Sequence, residues 1–203
     1  MKPQPFVVPP KDYPQPLHVV GEQITVSASG AATQGYEISL QEGPEGSGSP
    51  PHAHPMKAQP FVVTPKDYDP ALNVLGIQVT VLASNAATQA YEITRQQGEQ
   101  GMGPPPHSHN WDESFYVVAG DVEFTCAGRT VVCPPGTLVH VPAGTVHSFR
   151  YLADGCDVLE FTGQGGNATR MFAHVSREVP PGPPDVPALM SLFQQNGVTL
   201  MLG

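Results

Sequence analysis

"HSHNWDESFYVVAG", residues 107–120, combines two histidines, an acid and a glycine at spacings that suit a β-strand. Side chains two apart on a strand share a face, so His107 and His109 point the same way, whereas on a helix they would diverge by about 200°. Glu113 keeps the same parity, and a bend through Asn110, Trp111 and Asp112 returns its carboxylate to the imidazoles. A fourth candidate ligand, His147, lies in "GTLVHVPAGTVHSF", residues 136–149, just past the turn Pro142-Ala143-Gly144. Three imidazoles and one carboxylate suit a single divalent transition metal with one or two positions open to substrate. The donor set accepts iron, nickel, manganese, cobalt, zinc or copper.

Around this stretch the chain reads as short strands. "LGIQVTVLAS", "QAYEITRQ", "ESFYVVAG", "DVEFTCAG", "RTVVCPPG", "TLVHVPAG", "VHSFRYLADG" and "CDVLEFTG" are separated at nearly every junction by Gly or Pro. Close-spaced short strands imply an all-β barrel or jelly roll. Near the end, Val186, Leu189, Met190 and Phe193 fall at i, i+3, i+4 and i+7 behind a capping Asp185, and Gly197 closes the run. This predicts a helix over 185–196 that packs on the outside of the barrel.

Composition narrows the function classes. Nine Lys and Arg against eighteen Asp and Glu give a net charge of −9, leaving no basic stripe for a nucleic-acid backbone. The chain lacks a continuous apolar run of membrane-spanning length, and its start, "MKPQPFVVPPKDY", is unlike a signal peptide, so a cytoplasmic protein without membrane association is expected. Cys126, Cys133 and Cys156 form no C-x-x-C pair and are read as small apolar fillers.

The front of the chain is repeated. Residues 1–55 return as residues 56–110 with about 34 of 55 positions identical. Only the second copy runs on into further strands, which divides the chain into a strand-forming arm, 1–55, and a complete domain, 56–203. The arm is read as an extra layer; the alternative is that it competes with the second copy for one place, or swaps onto another subunit. It repeats the histidine pair as His52 and His54 but carries Ala58 where the second copy has Glu113, and these two histidines are read as remnants of a site.

Two stretches resemble the motifs of the cupin superfamily. Gly101, five residues, His107-x-His109, three residues, Glu113, six residues and Gly120 is similar to its first motif. Gly136, five residues, Pro142-x-Gly144, two residues and His147 is similar to the second, except that Tyr151 stands where an Asn is usual. The resemblance implies a cupin jelly-roll β-barrel with His107, His109, Glu113 and His147 as metal ligands. His140, His18 and His174 match no ligand position and are read as structural.

Strand alternation places Phe115 and Val117 on the side of Glu113, and Phe149 and Tyr151 on the side of His147, which predicts an apolar, aromatic pocket with Arg150 outside. Such a pocket suits a small molecule offering a phenolic or enolic oxygen, with Glu113 as the catalytic proton acceptor. The set, and the closing "REVPPGPPDVPALMSLFQQNGV", resemble quercetinase-like small cupins. This implies a metal-dependent dioxygenase, with a non-oxidative cyclase or isomerase, or a non-catalytic binding protein, as alternatives. The same resemblance, with the extra arm, implies a homodimer.

Overall fold

In the computed structural model, which describes residues 4–52, 59–153, 155–180, 182 and 184–201, short strands and tight turns make up most of the chain. The first copy contributes β1 (Phe6–Val8), β2 (Leu17–Val19), β3 (Glu22–Ala28), the single helical turn α1 (Gly30–Thr33) and β4 (Ile38–Glu42). The second contributes β5 (Leu72–Val74), β6 (Ile77–Ala83), α2 (Asn85–Thr88) and β7 (Glu92–Gly98). The strands β8 (His107–His109), β9 (Glu113–Ala119), β10 (Val122–Cys126), β11 (Arg129–Cys133), β12 (Leu138–Val141), β13 (His147–Tyr151) and β14 (Cys156–Thr162) follow. The helices α3 (Ala168–Glu178) and α4 (Val186–Gln195) and the strand β15 (Val198–Leu200) complete the chain.

Two antiparallel sheets form the jelly roll. One runs β1-β12-β9-β14-β7-β6-β5 and the other β11-β10-β13-β8-β15. Their hairpins close tightly: Leu75-Gly76 between β5 and β6, and Ala127-Gly128 between β10 and β11, hold both central residues at positive φ. Such turns match the right-handed twist of the strands they join. Val117, Val122, Phe124, Val139, Val141, Tyr151 and Val158 are at most 1% exposed and fill the space between the sheets. The free thiols of Cys126, Cys133 and Cys156 are buried among them.

Both copies fold alike. The same motif, a Ser whose side chain accepts the amide of the residue three on, opens α1 at Ser29 and α2 at Ser84, and Gln34 and Gln89 end these turns at φ 59°. They diverge in placement. β2-β3-β4 form a separate three-stranded sheet, while β1 joins the edge of the large sheet, pairing Phe6 with His140 and Val8 with Leu138.

At the C-terminal end the helix forms at the predicted residues, capped by Asp185, but its buried stripe is Leu189, Leu192 and Phe193. Val186 and Met190 are 46% and 40% exposed, a correction to the stripe read from sequence. α4 packs on β15 and α3 rather than broadly on a sheet, which turns the apolar stripe. Helix α3, not anticipated from the sequence, buries Met171, Phe172 and Val175 through its own 3–4 spacing.

Candidate metal centre

The two sheets face each other across the candidate ligands. β8 supplies His107 and His109, and β13 supplies His147, which pairs directly with His107. Glu113 opens β9 in the opposite sheet, opposite Val141 and Thr162. The link Asn110-Trp111-Asp112 therefore crosses between sheets. The second motif's turn locks onto this link: the Gly144 amide donates to the His109 carbonyl at 2.7 Å, and the Ala143 amide to Asp112 Oδ1 at 2.7 Å. The turn needs Gly144, which sits at φ +78°.

One ring nitrogen from each of His107, His109 and His147 lies within 4.8 Å of the others, a group able to hold a metal ion. Their orientation fits that role. Each Nδ1 is 2.9 Å from a backbone carbonyl, of Pro105, Trp111 and Thr145 respectively. A carbonyl can only accept, so Nδ1 carries the proton and each Nε2 lone pair is left free to ligate. Nε2 of His109 and of His147 is buried with no hydrogen-bond partner, a costly arrangement that a metal ion would satisfy.

Glu113 Oε2 lies 3.1 Å from His109 Nε2 and 3.4 Å from His147 Nε2, close enough for charge attraction but outside hydrogen-bond geometry. Its Oε1 accepts from Trp111 Nε1 at 2.8 Å, and the indole stacks on His109. Burial pushes the Glu113 carboxyl up, but His109 and His147 outweigh this and hold it well below the usual range. Burial pulls His109 down, yet the Glu113 charge beside it raises it overall. His107 is pulled down to about 3 by burial and by His147, which keeps its imidazole neutral.

A cavity opens from this cluster. Its wall includes Phe115, Phe149, Val79, Met171, Phe172 and Phe193, and among the described residues no Lys or Arg lines it. Val117 and Tyr151, expected in the pocket, lie instead in the core beneath it; both are fully buried, and Tyr151 donates its hydroxyl to the Gln96 carbonyl at 3.3 Å. Val117 and Tyr151 lie two residues further along β9 and β13 from Glu113 and His147 than Phe115 and Phe149 do. Arg150 points out to Glu123, 2.9 Å away.

Sequence reasoning passed over Glu160. It lines the cavity from β14, buried, with Thr94 Oγ1 and Gln96 Nε2 both donating to its Oε2 at 2.6 Å. Burial, then the neighbouring Glu113 charge, raise its carboxyl well above the usual range, opposite in direction to the shift of Glu113. The signal was present: within "CDVLEFTG" it shares the inward parity of Cys156, Val158 and Thr162.

The other histidines separate from the cluster. His140 sits on the outer side of β12, its Nδ1 3.0 Å from Ser114 Oγ. His174 contacts Asn196, and His18 is exposed. His52 repeats the carbonyl contact of His107, to Pro50 at 2.9 Å, on an exposed segment; His54 and Ala58 lie outside the described residues.

Residues 95–160 match the family model described as Cupin domain. Over 97 residues, 47% of this chain and 29% of the relative, the sequence is 29% identical to a quercetin 2,3-dioxygenase of Bacillus subtilis. It is 35% identical over 51 residues to an uncharacterised protein of Streptomyces coelicolor, covering 25% of this chain and 49% of that one. The chain thus spans half or less of the length of these curated relatives. The solved structure of KdgF from a Halomonas species superimposes with a TM-score of 0.50 at 21% identity, over 55% of this chain and 99% of that one, a likeness of fold. With both motifs folded into one site between the sheets of a jelly roll, residues 95–160 form a cupin domain.

Proposed function

We propose that the protein is a metal-dependent dioxygenase acting on a small phenolic or enolic compound, with His107, His109, His147 and Glu113 holding one divalent transition metal. The observation that carries this reading is three imidazoles with inward Nε2 lone pairs beside a buried carboxylate, at the base of a cavity lined by aromatic and aliphatic side chains. The partial likeness to a quercetin 2,3-dioxygenase supports it.

When bound, the metal supplies a Lewis acid that lowers the pKa of a substrate hydroxyl and, if redox-active, a route for dioxygen to react with the electron-rich ring. Phe115, Phe149 and Phe193 exclude water and orient a flat substrate. The hydroxyl proton passes to Glu113, whose carboxylate is ionised and turned inward. Absence of a cation from the cavity wall disfavours phosphorylated or strongly anionic substrates.

A second reading, a non-oxidative isomerase or cyclase, is favoured by one observation: Glu160, buried in the same cavity wall as Glu113 and held well above the usual carboxyl range, offers a second acid to return a proton. Oxygen-electrode assays of the metal-loaded protein with quercetin and smaller enediols test the choice. The dioxygenase reading expects uptake stoichiometric with substrate loss that His147→Ala abolishes. Substrate conversion without uptake assigns the second reading, and no conversion by a fully loaded protein overturns both.

A further inference from the structure

We infer that the N-terminal repeat is a captive substitute for a second subunit: it fills, within its own chain, a face of the cupin domain that fits the equivalent face of the second copy from another chain. The receiving face consists of the β12 edge, the Gly136 carbonyl, Ser114 and His140. The first copy meets it through β1, through Tyr13, whose hydroxyl donates to the Gly136 carbonyl at 2.5 Å, and through Tyr36, 2.9 Å from Ser114 Oγ. The Phe6 ring lies 5.0 Å from that of His140. Ala28 and Thr33 of the first copy are buried, and Thr33 Oγ1 accepts from the Tyr36 amide at 3.1 Å.

Each of these contact residues recurs 55 positions later as Phe61, Val63, Tyr68, Ala83, Thr88 and Tyr91. In the second copy they line an open groove instead. Phe61, Val62 and Tyr91 are 48%, 87% and 47% exposed, and residues 61–63 pair with no strand. The chain therefore carries two versions of one docking face and, among the described residues, one receiver.

The second version cannot reach its own chain's receiver. From β12 to β5 the large sheet takes five strand-to-strand steps, about 24 Å across the sheet. With Tyr68 anchored as Tyr13 is, the four Cα–Cα steps to Leu72 span at most about 14 Å. It fits the receiver of a second copy of this chain, and reciprocal docking closes a two-fold dimer. The tethered first copy competes at an effective concentration in the millimolar range, so it wins in the intact protein. The homodimer expected from the sequence is on this account held back, and becomes available when the first copy is released.

Light scattering and amide hydrogen exchange on the full chain test this. The wild-type protein is expected at 21.5 kDa, with amides of residues 6–8 protected and those of 61–63 exchanging freely. Phe6→Asp with Tyr36→Ala is expected to double the mass and to protect residues 61–63, and adding Phe61→Asp with Tyr91→Ala to restore the single mass. A wild-type dimer with residues 61–63 protected overturns the inference, as does a folded released variant that stays single. Should the released variant not fold, the wild-type mass and exchange pattern decide alone.

Discussion

The indole of Trp111 lies parallel to the His109 imidazole, ring centroids 4.3 Å apart and planes within 8°, while its Nε1–H holds Glu113. One residue thus braces a ligand candidate from each sheet. As the chain's single tryptophan, it reports on the site directly. Titration with Co²⁺ is expected to quench its fluorescence with a one-to-one endpoint, and His107→Ala to weaken that titration by more than about 100-fold, beyond the loss typical of an outer partner.

Glu160 makes stability depend on pH in an unusual sense. Its folded carboxyl titrates well above the ordinary 4.5, so between 4.5 and the raised value the native chain holds a proton that the unfolded chain has lost. Stability then falls as pH rises through that window, by about 1.4 kcal/mol per pH unit for one group. Glu160→Gln keeps an acceptor for Thr94 and Gln96. Calorimetry is expected to show the variant with a higher Tm than wild type at pH 8 and an equal one at pH 4.

Phe124 is 1% exposed, and its ring lies 5.2 Å from that of Phe115 and 5.3 Å from that of Phe149. It supports both cavity walls from below. Phe124→Ala is expected to cost about 3–5 kcal/mol in urea unfolding. Phe124→Leu retains most of the volume and is expected to cost less than half as much.

Burial pushes the thiols of Cys126 and Cys133 up to about 11. Neither is ionised at neutral pH, and thiolate is the reactive form. A disulfide reagent at pH 7.5 is expected to leave both unmodified in the native protein and to label them within minutes in denaturant.

The strands and the clustering of His107, His109 and His147 were legible because both are local patterns. Alternation and Gly or Pro turns mark β6, β7 and β9–β14, and His107, His109, Glu113 and His147 are fixed by spacing within two short motifs. What escaped depends on distant packing. Phe193 and Met171 reach the cavity because two helices fold back over the sheet edge, and the stripe of α4 turns toward β15 and α3. Val117 and Tyr151 have the right parity, but parity does not say how far along the strand the cavity extends. The role of the first copy was open for the same reason: its sequence resembles the second, and its placement shows only in long-range contacts such as the pairing of Phe6 with His140.

We propose one divalent metal ion bound by the three inward imidazoles and Glu113. Its most direct measurement is elemental analysis of the purified protein after equilibration with a divalent transition metal and gel filtration. One ion per chain in the wild type, reduced to a trace in His147→Ala with the fold retained by circular dichroism, is the expected result. A trace in the wild type, or full occupancy in His147→Ala, would contradict it.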